Sequence, residues 1–333
     1  MNVDRHCMAC WQGRVDPEPD SPRWHQRIQP LSADSQPGVA LLGFASDEGV
    51  RRNHGRVGAA AAPEAIRKAL ANLAWHRQGP AFDAGDVVCA DGELAAAQAR
   101  LGQNVCALLD AGHLPVVLGG GHEVAYGSWL GIAEHLAGNP APHHDAIRQD
   151  GPRMAAPRMA APRIGIINFD AHFDLRDPSH VQSSGTPFAQ IAAQCEARGW
   201  PFIYACLGVS RANNTRALFQ RAAELDVLVR EDHEIRETSL IDLNHELGAF
   251  IAGCDALYLT IDLDVLPACE APGVSAPAAR GVSLTLLEPL LERVRDSGKL
   301  RLADLAELNP SHDIDSRTAR VAARLIHLLC LAG

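Results

Sequence analysis

Residues 164–176 read IGIINFDAHFDLR, an apolar run that turns into an alternating row of Asp170, His172, Asp174 and Arg176. In extended chain, residues two apart share a face, so this spacing predicts three metal-ligating side chains and then a guanidinium on one side. Two distant stretches put the same ligand types at the ends of apolar runs. Gly119-Gly120-Gly121-His122-Glu123 follows LPVVL, and Asp262 and Asp264 close ALYLTIDLD. Open α/β sheets bind ligands where their strands end, and three such ends converging would make one site. The candidate ligands are therefore His122, Asp170, His172, Asp174, Asp262 and Asp264. Four carboxylates in one pocket cannot all stay ionised without cations, because each pushes up the pKa of its neighbours. Two divalent ions would balance them. An oxygen-rich set with two imidazoles and no thiolate suits manganese, and a close pair of such ions makes hydrolysis the chemistry to expect.

These ligands need strands to present them. Short runs apolar on both faces mark buried parallel strands at 38–44 (GVALLGF), about 82–88, 114–118, 164–169, 201–209, 226–230, 256–262 and 300–306. Helices are expected between them: from Pro63 to about Trp75, about 93–111, after His122, after SSGTPF to about Gly199, and about 215–224, 239–252, 284–295 and 317–331. About eight strands alternating with helices, with no polar linker between two cores, predict one doubly wound domain with a mostly parallel sheet over 38–333, preceded by an N-terminal arm at 1–37. The charged, glycine-punctuated segment SDEGVRRNHGRVGA could line a site or simply be a solvated loop. Residues 139–163 contain PRMAA twice in tandem and read as a low-complexity insertion, too short in period to be a packing unit. GGGHE lacks both the lysine of a P-loop and the spacing of a dinucleotide fingerprint, so nucleotide binding is rejected.

Composition narrows the function classes. The chain has 333 residues, 47% of them apolar and 21% charged, with a net charge of -10. No apolar run reaches the roughly 20 residues of a membrane helix, and the polar, proline-rich first 30 residues lack the apolar core of a secretory signal. A cytoplasmic location is expected. The net charge and the lack of a Lys/Arg run disfavour nucleic acid. The expected partner is a small molecule, and a homo-oligomer stays open. Nine cysteines, an odd number scattered along the chain, read as free thiols in a reducing compartment. Cys7-x-x-Cys10 is half a zinc knuckle without its second pair, and His143 and His144 lack fixed partners for a metal.

Taken together, GGGHE, NFDAHFDLR, TIDLDVLP and LAELNP resemble the binuclear manganese motifs of the arginase (ureohydrolase) family, over roughly residues 38–330. The resemblance implies a three-layer α/β/α fold, two Mn(2+) per chain and hydrolysis of a carbon–nitrogen bond in a guanidine or amidine. It places the six ligands on the family's metal positions and gives Asp174 a second role as proton relay. Glu307, in LAELNP, would grip the guanidinium or amidinium. Ser184 and Arg176 fall where arginases hold their substrate's carboxylate, and Asn213 where they set an aspartate against its ammonium. SDEGVRRNHGRVGA, FDAHFDLR and SSGTPF together are most similar to the branch that hydrolyses N-formimidoyl-L-glutamate to L-glutamate and formamide. That substrate carries two carboxylates and no free α-amino group, which suits Arg176 on the ligand face and makes Arg211 a candidate second cation. Two positions depart from the pattern. Phe188 stands where arginases have a histidine and is expected to pack, and the loop 265–280 lacks the Asp-Pro pair that arginases place there. An agmatinase- or guanidinobutyrase-type ureohydrolase, and an inactive metal-bound scaffold, are the competing readings.

Overall fold

The computed structural model describes residues 3–4, 8–138 and 161–331. Cys7, His143, His144 and residues 139–160 of the insertion lie outside the described residues. In chain order the elements are α1 (Trp24–Arg27), β1 (Gln29–Pro30), β2 (Val39–Ala45), α2 (Glu48–Arg52), α3 (Ala62–Ala71), β3 (Ala81–Val88), α4 (Leu94–Asp110), β4 (Leu114–Leu118) and α5 (Val124–Gly138). There follow β5 (Ile164–Phe169), α6 (Pro187–Arg198), β6 (Ile203–Val209), α7 (Arg216–Glu224), β7 (Leu228–Glu231), α8 (Leu240–Ala252), β8 (Ala256–Asp262), α9 (Leu284–Arg295), β9 (Leu300–Ala306) and α10 (Arg317–Leu329). None of the described helices is long and apolar enough to cross a membrane.

The strands form one nine-stranded sheet in the order β1-β3-β2-β4-β9-β8-β5-β6-β7. Every strand pair is parallel. Alternation along each strand sends neighbouring side chains to opposite faces, and in the central strands both faces are buried, which is why these segments are mostly apolar. Val39 and Leu41 of β2, Ile167 and Phe169 of β5, and Leu257, Leu259 and Ile261 of β8 belong to one core, with α3, α8, α9 and α10. Ala40, Leu42 and Phe44, Ile164 and Ile166, and Ala256 and Tyr258 face the other, with α4, α5, α6 and α7. The result is the expected three-layer α/β/α domain.

The strand beyond the expected eight is β1, two exposed residues of the arm that pair with β3 and carry no apolar signal. The arm is built into the fold. Trp11 and Trp24 are buried, and the Trp11 indole donates to Asp83 Oδ2 at 2.7 Å. The same carboxylate pairs with the fully buried guanidinium of Arg67, which also holds Asp86 at 2.6 Å. The helix expected to run to Trp75 stops at Ala71, and Trp75 instead packs edge-on against Trp24, ring centroids 5.0 Å apart.

Candidate metal centre

Four strands adjacent at the middle of the sheet, β4, β9, β8 and β5, deliver the chemistry from their carboxyl ends. The turn after β4 must be glycine at three successive positions because backbone and carboxylate crowd each one. A Cβ on Gly119 would come within 2.6 Å of the Leu305 carbonyl, one on Gly120 would enter the Ser46 carbonyl, and one on Gly121 would meet the Glu123 carboxylate. That close approach sets His122 over the ends of β8 and β5.

His122 Nδ1 lies 3.1 Å from Asp170 Oδ2, 2.9 Å from Asp174 Oδ2 and 3.2 Å from Asp262 Oδ2. None of the three lies where it could form a proper hydrogen bond, so the buried nitrogen has no partner. Its other nitrogen, Nε2, pairs with the Thr260 hydroxyl at 3.0 Å. With Nε2 donating there, Nδ1 turns a lone pair toward the same centre as three carboxylate oxygens. A second group shares Asp170. His172 Nδ1 is 3.0 Å from Asp264 Oδ2 and 3.6 Å from Asp170 Oδ1. All six expected ligands thus gather into two groups, His122, Asp170, Asp174 and Asp262, and Asp170, His172 and Asp264, with no thiol in either.

The expected extended strand through Asp170–Arg176 is corrected. β5 ends at Phe169, and Asp174 has a left-handed backbone, φ 47°. The alternation of environment nevertheless persists in the loop, because Ala171, Phe173 and Leu175 are buried while His172 and Asp174 border the cavity. Asn214 enforces it. Its side chain accepts from the Phe173 N–H at 3.1 Å and donates to the carbonyls of Ala171 and Ser210, both at 2.8 Å.

Burial and crowding set the electrostatics. Burial pushes Asp174 up to about 6, with Asp170 adding to the rise. It also holds Asp262 well above the usual carboxylate range, helped by Asp264 and Asp170. Burial opposes the charged forms of the two imidazoles, yet the carboxylates outweigh it and lift His172 to about 12 and His122 far above its usual value. Asp170 goes the other way: burial works against its ionisation, and the two imidazoles overcome that and hold it low. A buried carboxylate cluster that must draw positive charge from imidazoles fits divalent cations.

The groups open onto a cavity of about 310 Å³. Of the remaining candidate residues, Arg176, Ser184, Asn213 and Glu307 line it. Glu307 follows the end of β9 with φ 68°, an uncommon conformation for a side chain of this size. Its Oε1 accepts from the His122 N–H at 2.9 Å, and its buried Oε2 has no partner. Burial, then the nearby Glu123, push its carboxyl up to about 8. Phe188 packs as expected, edge-on to the His122 ring at 5.4 Å and stacked on Tyr204 at 4.5 Å.

Arg211 is not brought to the cavity. Its guanidinium is held bidentately by Glu231, Nε to Oε2 at 2.8 Å and Nη2 to Oε1, and it lies over the Phe219 ring. Residues 53–56, from the charged loop, and Ser275 and Ala276, from the loop 265–280, line the cavity instead. The buried clamp Asn214 went unnoticed beside the exposed Asn213, and nothing in the residue types separates the two.

Residues 37–332 match the Arginase family. The chain is 57% identical to a formimidoylglutamase of Aeromonas salmonicida, covering 97% of each sequence, and 52% identical to one of Chromobacterium violaceum, covering 96% of each. Among solved structures, the formimidoylglutamase of Bacillus subtilis superposes with a TM-score of 0.78 at 22% identity, covering 95% of this chain and 94% of that one. A formiminoglutamase of Trypanosoma cruzi with Mn2+ superposes at 0.77 and 24% identity, covering 94% and 98%. With the family match spanning residues 37–332 and relatives more than half identical over nearly their whole length, the chain belongs to the arginase family.

Proposed function

We infer that this protein hydrolyses N-formimidoyl-L-glutamate to L-glutamate and formamide, using two Mn(2+) ions. The reaction adds the oxygen of water to the formimidoyl carbon and breaks that carbon's bond to the glutamate nitrogen, which leaves as an amine after taking up a proton. The observation that carries the reading is the pair of His/Asp groups sharing Asp170 at the floor of a cavity that also holds Glu307 and Arg176. Relatives called formimidoylglutamase, matching over nearly the whole chain, support it independently.

His122, Asp170, Asp174 and Asp262 would hold one ion, and Asp170, His172 and Asp264 the other. Bound there, the ions neutralise the carboxylates and supply a nucleophilic water at neutral pH. The chain's own groups do the rest. The unpartnered Oε2 of Glu307 suits an amidinium N–H, a charge-assisted contact that orients the reacting carbon. Asp174 lies between His122 and the cavity and takes the proton of the attacking water to the departing nitrogen. Arg176 meets a substrate carboxylate, and Ser184 and Asn213 line the same end. Phe188 takes no part in proton transfer. An agmatinase-type reading would leave the guanidinium of Arg176 facing the uncharged or cationic tail of its substrate, and nothing in the cavity favours that.

The catalytic domain is taken as 38–333, with 139–163 inserted and 1–37 as an arm; every strand except β1 falls within the domain. We place the reaction in the cytoplasm, which the free thiols of Cys89, Cys106, Cys195, Cys206, Cys254, Cys269 and Cys330 support. Product analysis by NMR tests the reaction. Formamide and L-glutamate in equal amounts are expected; ammonia with N-formyl-L-glutamate would mean that the other carbon–nitrogen bond breaks.

A further inference from the structure

The cations near the cavity differ in how their charge is used. Arg51 and Arg52 of α2 both bind Glu48, at 2.6 and 2.7 Å, and Arg211 binds Glu231. Arg56 lines the cavity and, among the described residues, is held only by neutral groups. Its Nε donates to the Ser275 carbonyl at 2.9 Å and its Nη2 to the Val274 carbonyl, while its backbone N–H donates to Ser275 Oγ at 2.9 Å. Its own carbonyl accepts from Asn309 Nδ2 at 2.9 Å. Because Asn309 lies two residues beyond Glu307, this bond ties the Arg56 segment to the end of β9. These bonds fix the guanidinium at the cavity wall without cancelling its charge, and a guanidinium with five N–H donors keeps some for a ligand. The guanidinium of Arg176, on the same cavity, makes no hydrogen bond or ion pair among the described residues. Its stem crosses Gly185, where a Cβ would come within 3.0 Å of Arg176 Cδ.

We propose that Arg56 is a specificity-determining residue that, together with Arg176, gives the cavity one cation for each of two carboxylates on an amidine substrate. The proposal deepens the functional reading above and rests on it. The charges match: the four aspartates balance two divalent ions, Glu307 faces the amidinium, and two guanidiniums remain for two carboxylates. An immobilised guanidinium also binds with less ordering cost than a free one, which is what its two bonds to the Val274 and Ser275 carbonyls and the two bonds of the Arg56 backbone provide.

The test is steady-state kinetics of the manganese-loaded protein, wild type, Arg56→Ala and Arg56→Lys. The substrates are N-formimidoyl-L-glutamate and two analogues each lacking one carboxylate, N-formimidoyl-4-aminobutyrate and N-formimidoyl-L-2-aminobutyrate. Analogues turned over too slowly are measured as competitive inhibitors. Arg56→Ala is expected to lose roughly 30-fold or more in kcat/KM on the dicarboxylate, mainly through KM, with part regained in Arg56→Lys. On the analogue that lacks the carboxylate Arg56 receives, wild type and Arg56→Ala should agree within about threefold. Equal losses on all three compounds would make Arg56 only a support of the loop around Ser275 and overturn the proposal, as would no loss at all. A wild-type protein that leaves N-formimidoyl-L-glutamate intact would overturn the functional reading and this proposal with it.

Discussion

Asp170 is the side chain on which both ligand groups depend, since Oδ2 faces His122 and Oδ1 faces His172. Asp170→Asn should therefore lower bound manganese from two ions to below one per chain and reduce turnover by roughly 100-fold or more, larger than the loss from an outlying partner of a metal ligand. Elemental analysis beside the activity assay checks it; two ions retained in an active Asp170→Asn protein would remove Asp170 from the site. Asp174 and Phe188 separate chemistry from packing. Phe188→Leu should cost about 1–3 kcal/mol of stability, because it leaves space against the His122 and Tyr204 rings, and keep turnover within about tenfold. Asp174→Asn should lose turnover even where metal is retained, and equal losses in the two variants would mean that Phe188 shapes the reacting geometry. At this scale the gathering of the six candidate ligands was legible because they are polar residues at or just past the end of apolar runs. Arg211 misled because its partner Glu231 ends the neighbouring strand β7, twenty residues on in the chain, and no spacing rule connects the two. The left-handed backbone of Glu307 was invisible, since glutamate does not signal it, and that of Asp174 is signalled only weakly by its residue type.

Most strands and helices were read from periodicity and came out in place, because a segment buried on both faces is mostly apolar whatever its neighbours are. What periodicity does not carry is the geometry of the loops between elements, and the site is made of loops. Residues 170–176 look like strand because their outward and inward residues alternate, but the alternation is imposed by Asn214, from the loop after β6, and not by pairing in the sheet. Removing that clamp is a direct test of the element. Asn214→Ala would leave the Phe173 N–H without its partner and take one of two donors from each of the Ala171 and Ser210 carbonyls, and should cost about 1–3 kcal/mol. By loosening Asp170 and Asp174 it should also weaken manganese binding by roughly 10- to 100-fold. Denaturant unfolding of the metal-free protein and a metal titration measure the two effects separately. Unchanged affinity would show that the loop holds its shape without Asn214.

For the molecule as a whole, the arm contributes to stability. Trp11 closes a buried cluster in which Arg67 joins Asp83 and Asp86. Trp11→Ala should cost about 3–5 kcal/mol, read from the denaturant midpoint, with kcat little changed in the folded fraction. Nothing in the arm's polar composition announced this, because the two buried tryptophans are isolated in a proline-rich stretch. The central claim is a two-metal site fitted to an amidine with two carboxylates. It is tested most directly by kcat/KM of the metal-depleted protein as Mn(II) is restored, on N-formimidoyl-L-glutamate, arginine and agmatine in parallel. Activity should appear only on N-formimidoyl-L-glutamate and rise to a plateau at two ions per chain. Full activity without manganese, or urea released from agmatine as fast as formamide from N-formimidoyl-L-glutamate, would contradict it.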